Sequence, residues 1–243
     1  MHEAAMLAEL IAANQPCVVL TGAGVSTESG IPDYRSAGGI WAQYDPYEVA
    51  SIDAFHRDPG RVWEFYAHRL VVLENAHPNA AHVALAELER RGLVEAIVTQ
   101  NVDGLHHEAG SCDVIEVHGS IARARCLACG TAVARDQVSR LLPLPRCPEC
   151  GAVLKPDVVM FGELLPADAF ERATALARNA ALLLVVGSSL EVWPVAGLPE
   201  STLAAGGTLA IVNRDPTPYD RGATLVVRES AGEVLAACAA ALP

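Results

Sequence analysis

An α/β fold built on one doubly wound parallel sheet follows from three features of the sequence. Short apolar runs recur along the chain with almost no polar interruption, as parallel strands covered on both faces require. Segments with helical patterning alternate with these runs. Polar residues stand directly behind four of the runs, which places a ligand crevice beyond the C-terminal ends of the strands.

In chain order, residues 1–16 read as an amphipathic helix stopped before Pro16, without the basic flank and cleavage pattern of a secretion signal. The first strand, residues 17–21, leads into TGAGVSTESGIPDYRS. There Gly22 and Gly24 let the backbone approach a pyrophosphate, and Ser26 adds a hydroxyl. The spacing falls short of the full GxGxxG, so this turn alone does not decide for a nucleotide. Residues 33–78 interrupt the rhythm with Gly, Pro and aromatic residues followed by a helix that contains RVWEFYAHRL. A helix over 79–91 takes Asn79 as its N-cap.

The strand at 93–100 ends in TQNVDGLH, where Gln100, Asn101 and Asp103 crowd one strand tip at a desolvation cost unless something uses them. A strand at 114–118 ends in VHGS, and residues 119–157, rich in cysteine and proline, interrupt the rhythm again. A helix over 167–179 precedes a strand at 182–187 that ends in Gly187, Ser188 and Ser189. Strands at 209–213, ending in Asn213, Arg214 and Asp215, and at 225–227 are followed by a helix over 232–241. Four polar endings converging on one edge describe a dinucleotide-sized ligand. The expected division is a large domain of residues 1–32, 79–118 and 158–243, with a small one formed by the insertions 33–78 and 119–157.

The chain has 243 residues, enough for a sizeable core, and about half are apolar. A formal charge of −12 excludes a phosphate-backbone binder, hence nucleic acid, and favours a basic partner such as a lysine-bearing protein segment. No apolar run approaches the roughly 20 residues that span a bilayer, so no membrane role is expected. Seven cysteines, four of them in CxxC pairs, suit a reducing compartment, and the cytoplasm is the expected location. Cys17, Cys112 and Cys238 sit among apolar neighbours and read as buried packing.

Cys126, Cys129, Cys147 and Cys150 form CLAC, a 17-residue spacer and CPEC, the pattern of two knuckles closing a tetrahedral thiolate site for zinc. Gly130 and Gly151 supply the turn after each pair. Four thiolates leave no open position, so the metal is expected to be structural.

Taken in order, GAGVSTESGIPDYRS, TQNVDGLH, VHGS, the two CxxC knuckles, KPDVVMFGE, VGSSLEVWP and IVNRD resemble the sirtuins, NAD-dependent protein-lysine deacylases, over nearly the whole chain. The resemblance implies a Rossmann-like doubly wound sheet with a small inserted zinc-ribbon and helical module, and an acyl-lysine protein or peptide in the cleft between them. It implies cleavage of the bond between ribose and nicotinamide, attack of the acyl carbonyl oxygen on the ribose C1′, and release of nicotinamide and O-acyl-ADP-ribose.

Residue by residue, the resemblance makes His118 the general base, a role that suits a neutral imidazole near pH 7. Asn101 and Asp103 join it in catalysis, and with Gln100 and Val102 they hold the ribose and nicotinamide end. Arg35 resembles an arginine near the phosphates, and Tyr34 a ring over the ribose. Ala23, Asp33 and Trp41 fall on the cofactor side with Gly22, Gly24 and Ser26. Ser188 and Ser189, after Gly187, match phosphate or ribose contacts. Asn213, Arg214 and Asp215 match the adenosine end, and Ala231 a backbone contact to adenine. Residues 159–163, including Val159, Phe161, Gly162 and Glu163, and residues 190–193, including Leu190, Glu191 and Val192, resemble two strands that sandwich the substrate backbone. His82 and His106 read as internal hydrogen-bonding groups.

Tyr66 and Arg69 lie three apart on one helix face, and a guanidinium fork beside a phenol suits a carboxylate. Among sirtuins this Tyr-x-x-Arg pair resembles the class that removes succinyl, malonyl or glutaryl groups, with Ala50 leaving room in the acyl pocket. Protein ADP-ribosyl transfer, or a cleft that only binds NAD or ADP-ribose, stay open as alternatives. The retained ribose-holding set and His118 favour deacylation.

Overall fold

A computed structural model describes residues 2–242. The chain begins with helix α1 (His2–Ala13) and strand β1 (Cys17–Thr21), then passes through the short helices α2 (Pro46–Val49) and α3 (Ile52–Arg57) to the longer α4 (Pro59–Glu74). Helix α5 (Ala80–Arg90), β2 (Ala96–Thr99), the single-turn α6 (Leu105–Glu108) and β3 (Val114–Glu116) follow. Next come β4 (Gly119–Cys126), β5 (Ala132–Ala134), α7 (Arg135–Arg140) and β6 (Leu154–Val158). The chain closes with α8 (Ala167–Asn179), β7 (Leu182–Val186), α9 (Leu198–Ala204), β8 (Thr208–Val212), β9 (Leu225–Val227) and α10 (Ala231–Ala241).

Six strands form one sheet in the order β3-β2-β1-β7-β8-β9, with every neighbouring pair parallel. The order reverses between β1 and β7, the place where a doubly wound sheet opens a crevice. The strands are apolar throughout because alternate side chains enter opposite cores. Val19, Ile97, Leu184 and Ala210 meet Leu7 and Ile11 of α1, Leu85 of α5 and Leu235 of α10. Val18, Val98, Leu183 and Leu209 meet Ala173 and Ala177 of α8 and Leu198 of α9.

Asn79 caps α5 as its side-chain type predicts, its Oδ1 accepting from Ala81 N at 2.9 Å and His82 N at 3.4 Å. Its Nδ2 also donates to Val25 O at 2.8 Å and Ser29 Oγ at 3.0 Å, tying the helix start to the turn after β1.

A third core joins Val62, Trp63, Phe65, Tyr66 and Leu70 of α4 to Ala124, Val133 and Leu154 of a second, antiparallel sheet ordered β5-β4-β6. Trp63 Nε1 donates to Leu154 O at 2.7 Å in the buried contact between them.

Two expectations need correction. Neither residues 159–163 nor residues 190–193 form a strand; apart from one isolated bridge between Ser51 and Phe161 they are irregular. Left-handed backbone at Gly162 (φ 90°) and Leu190 (φ 55°) interrupts extension in each stretch. Cys112 is exposed, lying in the bend before β3, whereas Cys17 and Cys238 are buried and burial pushes both thiols up to about 12.

Candidate active site

The crevice starts at a seam of glycines. Gly22 N donates to Val186 O at 3.1 Å and Gly24 N to Gly187 O at 2.8 Å, so the β1 and β7 ends stay paired past the last strand residue. Gly187 is left-handed (φ 60°), and a Cβ there would overlap Val25 N. A Cβ on Gly22 or Gly24 would lie 2.8 Å from Gly187 O. The edge that faces the crevice is therefore bare backbone.

Beside the seam, the polar tip of β2 offsets its desolvation through its own hydrogen bonds. Gln100 Nε2 donates to Ser188 Oγ at 2.9 Å, spanning the ends of β2 and β7. Asn101 Nδ2 donates to Gly22 O and to Ser26 Oγ, each at 3.1 Å, and its backbone N donates to Thr99 Oγ1 at 3.0 Å. Ser26 Oγ in turn donates to Asp103 Oδ2 at 2.8 Å, while Asp103 Oδ1 accepts from Leu105 N at 3.0 Å. The Asp103 carboxylate thus stands behind Asn101. Thr21 Oγ1 lies 3.0 Å from His106 Nε2 and 2.8 Å from Thr99 Oγ1, and His82 Nε2 lies 3.5 Å from Ser26 Oγ. Both buried histidines serve internal hydrogen bonding, in line with the sequence reading.

His118 follows β3, with its Nδ1 3.2 Å from Gln100 O. A carbonyl oxygen only accepts, so Nδ1 carries the proton and Nε2 keeps its lone pair. Burial lowers the imidazole pKa and the Gln100 carbonyl partly opposes that, leaving the ring neutral at pH 7.

The crevice widens into a cleft of about 690 Å³ lined from both the six-stranded sheet and the third core. One wall is aromatic: Trp41 lies 5.0 Å from Tyr34 and 6.2 Å from Phe65 between ring centroids. At its floor Tyr66 and Arg69 are both buried, and the Arg69 guanidinium sits 5.6 Å from the Tyr34 ring centroid. Among the described residues no carboxylate or other hydrogen-bond acceptor meets Arg69.

A family profile described as "Sir2 family" matches residues 22–194, which include the seam, the β2 tip, His118 and the cysteine pairs. The chain belongs to the Sir2 family. It is 47% identical over 229 residues to NAD-dependent protein deacylase 2 of Pyrobaculum aerophilum, covering 94% of this chain and 92% of that one. It is 45% identical over 234 residues to NAD-dependent protein deacylase of Pyrococcus furiosus, covering 94% of each. Among solved structures, a Sir2–p53 peptide–NAD+ complex superposes with a TM-score of 0.88 at 41% identity, covering 95% of this chain and 94% of that one. Sir2Tm bound to a propionylated peptide superposes with a TM-score of 0.87 at 40% identity, with 95% and 94% covered.

In this Sir2 chain the cleft wall brings together Gly22, Ala23, Gly24, Asp33, Tyr34, Arg35 and Trp41 with Gln100, Asn101, Val102 and His118. It also takes in Gly187, Ser188, Ser189, Asn213 and Asp215, together with Ala50, Tyr66, Arg69, Val159, Phe161, Gly162, Glu163 and Val192, the residues expected at a substrate end. Ser26, Asp103, Leu190, Glu191, Arg214 and Ala231 lie off the wall. Of these, Ser26 and Asp103 brace Asn101, and Glu191 reaches Arg35 at 3.4 Å. The sequence reading missed Phe65, Ile121 and Phe170 on the wall. Apolar residues that face a cleft carry the same pattern as core residues, so no signal set them apart.

The four cysteines of the ribbon fit zinc. Their Sγ atoms lie within 4.8 Å of one another, with Cys126 to Cys150 at 3.4 Å and Cys129 to Cys147 at 3.6 Å. Sulfurs about 2.3 Å from a tetrahedral zinc stand about 3.8 Å apart, close to this spacing. The two knuckles repeat one turn: Gly130 N donates to Cys126 O and Gly151 N to Cys147 O, both at 2.9 Å. Likewise Cys126 N donates to Thr131 O and Cys147 N to Ala152 O, both at 2.8 Å. A closed thiolate set makes the metal structural.

Proposed function

We propose that this chain is an NAD-dependent protein-lysine deacylase that binds its co-substrate along the glycine seam and an acyl-lysine peptide in the cleft between a large sheet domain and a small zinc and helical domain. The observation that carries the reading is His118, whose Nδ1 is committed to Gln100 O while Nε2 remains a free acceptor on the cleft wall. NAD supplies, when bound, a ribose made reactive by loss of nicotinamide. Backbone at Gly22, Ala23 and Gly24 approaches its phosphates, with Arg35 and Ser188 beside them. Asn213 and Asp215 take the adenosine end, with Arg214 and Ala231 adjoining, and Gln100, Asn101 and Val102 take the nicotinamide ribose, with Asp103 and Ser26 fixing the Asn101 amide. His118 Nε2 takes a proton from a ribose hydroxyl, as a neutral imidazole suits.

The acyl end is built for an anion. Among the described residues Arg69 is a buried cation without an acidic partner, and the buried phenol of Tyr66 stands on the same helix. A dicarboxylic acyl group, such as succinyl or malonyl, supplies the missing carboxylate. Acetyl-lysine fits the same cleft without using Arg69. A cytoplasmic setting agrees with seven cysteines free of disulfides.

The test incubates the purified protein and NAD with matched acetyl-lysine and succinyl-lysine peptides, following nicotinamide and peptide mass together. Loss of the acyl mass with equimolar nicotinamide is expected, and the His118→Ala variant should bind NAD yet turn over at least a hundredfold more slowly, the range general-base removal gives. A gain of ADP-ribose mass on the peptide, or full activity in the variant, would overturn the reading.

A further inference from the structure

The best-satisfied buried charge outside the cleft is Lys155, only 6% exposed, in β6. An ammonium has three N–H donors and no acceptor, so a buried lysine is stable only when every donor is used. Here Nζ donates to Pro156 O at 3.1 Å, to Val158 O at 2.7 Å and to Glu163 Oε2 at 2.8 Å. The same Glu163 oxygen accepts from Met160 N at 2.8 Å. Three donors meet three acceptors, and all three lie in the nine-residue stretch that starts at Lys155 itself.

That stretch enters the cleft. Val158, Val159, Met160, Phe161, Gly162 and Glu163 all line it. Its first residues, through Val158, belong to β6 and pair with β4, but residues 159–163 are irregular apart from the bridge between Ser51 and Phe161; their anchors are Val159 N to His118 O at 2.8 Å, Phe161 N to Ala50 O at 2.9 Å and Ile52 N to Phe161 O at 3.0 Å. These anchors join the stretch to the backbone of the proposed base and to the proposed acyl pocket. The ammonium gathers the carbonyls of residues 156 and 158 and the carboxylate of residue 163 at one point, so it ties the end of β6 to the far end of the irregular segment. Lys155 is itself fixed from the other side, because it pairs in register with Arg125 and its neighbour Leu154 pairs with the thiolate ligand Cys126.

We infer that Lys155 is a positioning residue for substrate: its ammonium holds residues 159–163, beyond the end of β6, in the curve that receives the peptide, with the zinc ribbon as its fixed base. This rests on the deacylase reading for its substrate, and the measurements are chosen to separate the two. Lys155→Met keeps the length and apolar stem while removing all three bonds. KM for an acyl-lysine peptide should rise about tenfold, the factor carried by one lost hydrogen bond to a charged group, with KM for NAD and kcat changed less than about twofold. A lysine that served only general stability would move both KM values together or neither.

Hydrogen exchange gives a readout independent of turnover. In Lys155→Met the amides of Val159, Phe161 and Glu163 should lose about tenfold in protection while those of β1 and β7 keep theirs. Should Lys155→Met fail to fold, Glu163→Ala removes one of the three acceptors and should shift the same amides and the same KM by about threefold. Unchanged exchange in residues 159–163, or a peptide KM that does not move, overturns the inference whatever the activity. Lost protection in a protein whose wild type leaves every acyl peptide intact sustains the ordering role and removes the deacylase reading instead.

Discussion

Replacing Arg69 by Met tests the acyl pocket at its most informative atom group. Arg69 is 9% exposed and lines the cleft, and among the described residues its guanidinium meets no carboxylate. Its visible neighbour is the Tyr34 ring, 5.6 Å away, a contact that leaves the N–H fork unspent. A succinyl carboxylate accepting two N–H bonds gains about 1.5–3 kcal/mol from each, and desolvating both ions takes back part of that gain. About 3 kcal/mol remains, which corresponds to a loss of roughly two orders of magnitude in kcat/KM for a succinyl-lysine peptide. An acetyl group presents no charge, so its kcat/KM should fall by less than about threefold. Burial, then the Tyr34 and Glu163 charges, keep the Tyr66 phenol protonated well above its ordinary range, while Arg69 opposes them. Tyr66 therefore stays a donor throughout the assay. The measurement compares kcat/KM for matched peptides, with melting temperature alongside. Removing an unpaired buried cation in favour of a methionine should leave the melting temperature unchanged or higher. Equal losses on the two peptides, or a large fall in melting temperature, would refute the reasoning.

Three further outcomes follow from the same geometry. His118 is depressed by burial, so the acid limb of kcat/KM should lie below the ordinary histidine value of 6.5, activity falling as pH drops through the shifted value; a midpoint at or above 6.5 contradicts this. Burial first, then His82 and His107, push His106 down to about 3 from 6.5. The unfolded chain takes up that proton below about 6.5 while the folded one refuses it, so this part of the stability is complete above 6.5 and drains towards pH 3 at up to about 1.4 kcal/mol per pH unit. Denaturation midpoints between pH 7 and 5 should show the slope, and His106→Gln should reduce it by about one proton. Stripping zinc with a chelator should open the two knuckles to protease between β4 and β6 while β1 and β7 keep their exchange protection, since the six-stranded sheet has its own cores.

The large sheet was readable because its strands are buried on both faces. Runs such as CVVLT and LLLVV have no polar face to confuse the period, and Asn79 and the proline after residue 15 punctuate the helices as their chemistry demands. The cysteine ribbon was readable from spacing alone. Boundaries shifted by a residue or a few: the strand expected at 93–100 is Ala96–Thr99, because Leu93 and Val94 still bond back to the α5 end at Leu88 O. The small sheet was not readable, since β5 has only three residues and β6 contains a proline and a lysine. Lys155 looks like a surface residue until its three acceptors are seen. The Asp103 carboxylate, expected at the ribose, points instead to Ser26 and Leu105, a depth ordering that strand position alone does not encode. Cys112 has apolar neighbours in sequence but sits on a bend, and sequence neighbours do not report exposure there.

Gly22, Gly24 and Gly187 occupy one another's vacant side-chain space, so an enlargement at any one of them strikes main chain on the opposing strand, which has no rotamer with which to yield. The two strand tips must therefore behave as one stiff rail, and they cannot be remodelled by successive single replacements. On the deacylase proposal, adaptation to a new acyl chain falls to the opposite bank, where Ala50, Phe65, Tyr66 and Arg69 meet the cleft through side chains and not through main chain. Within this architecture the glycine rail resists single enlargements and the facing bank can admit them, a partition drawn by sterics.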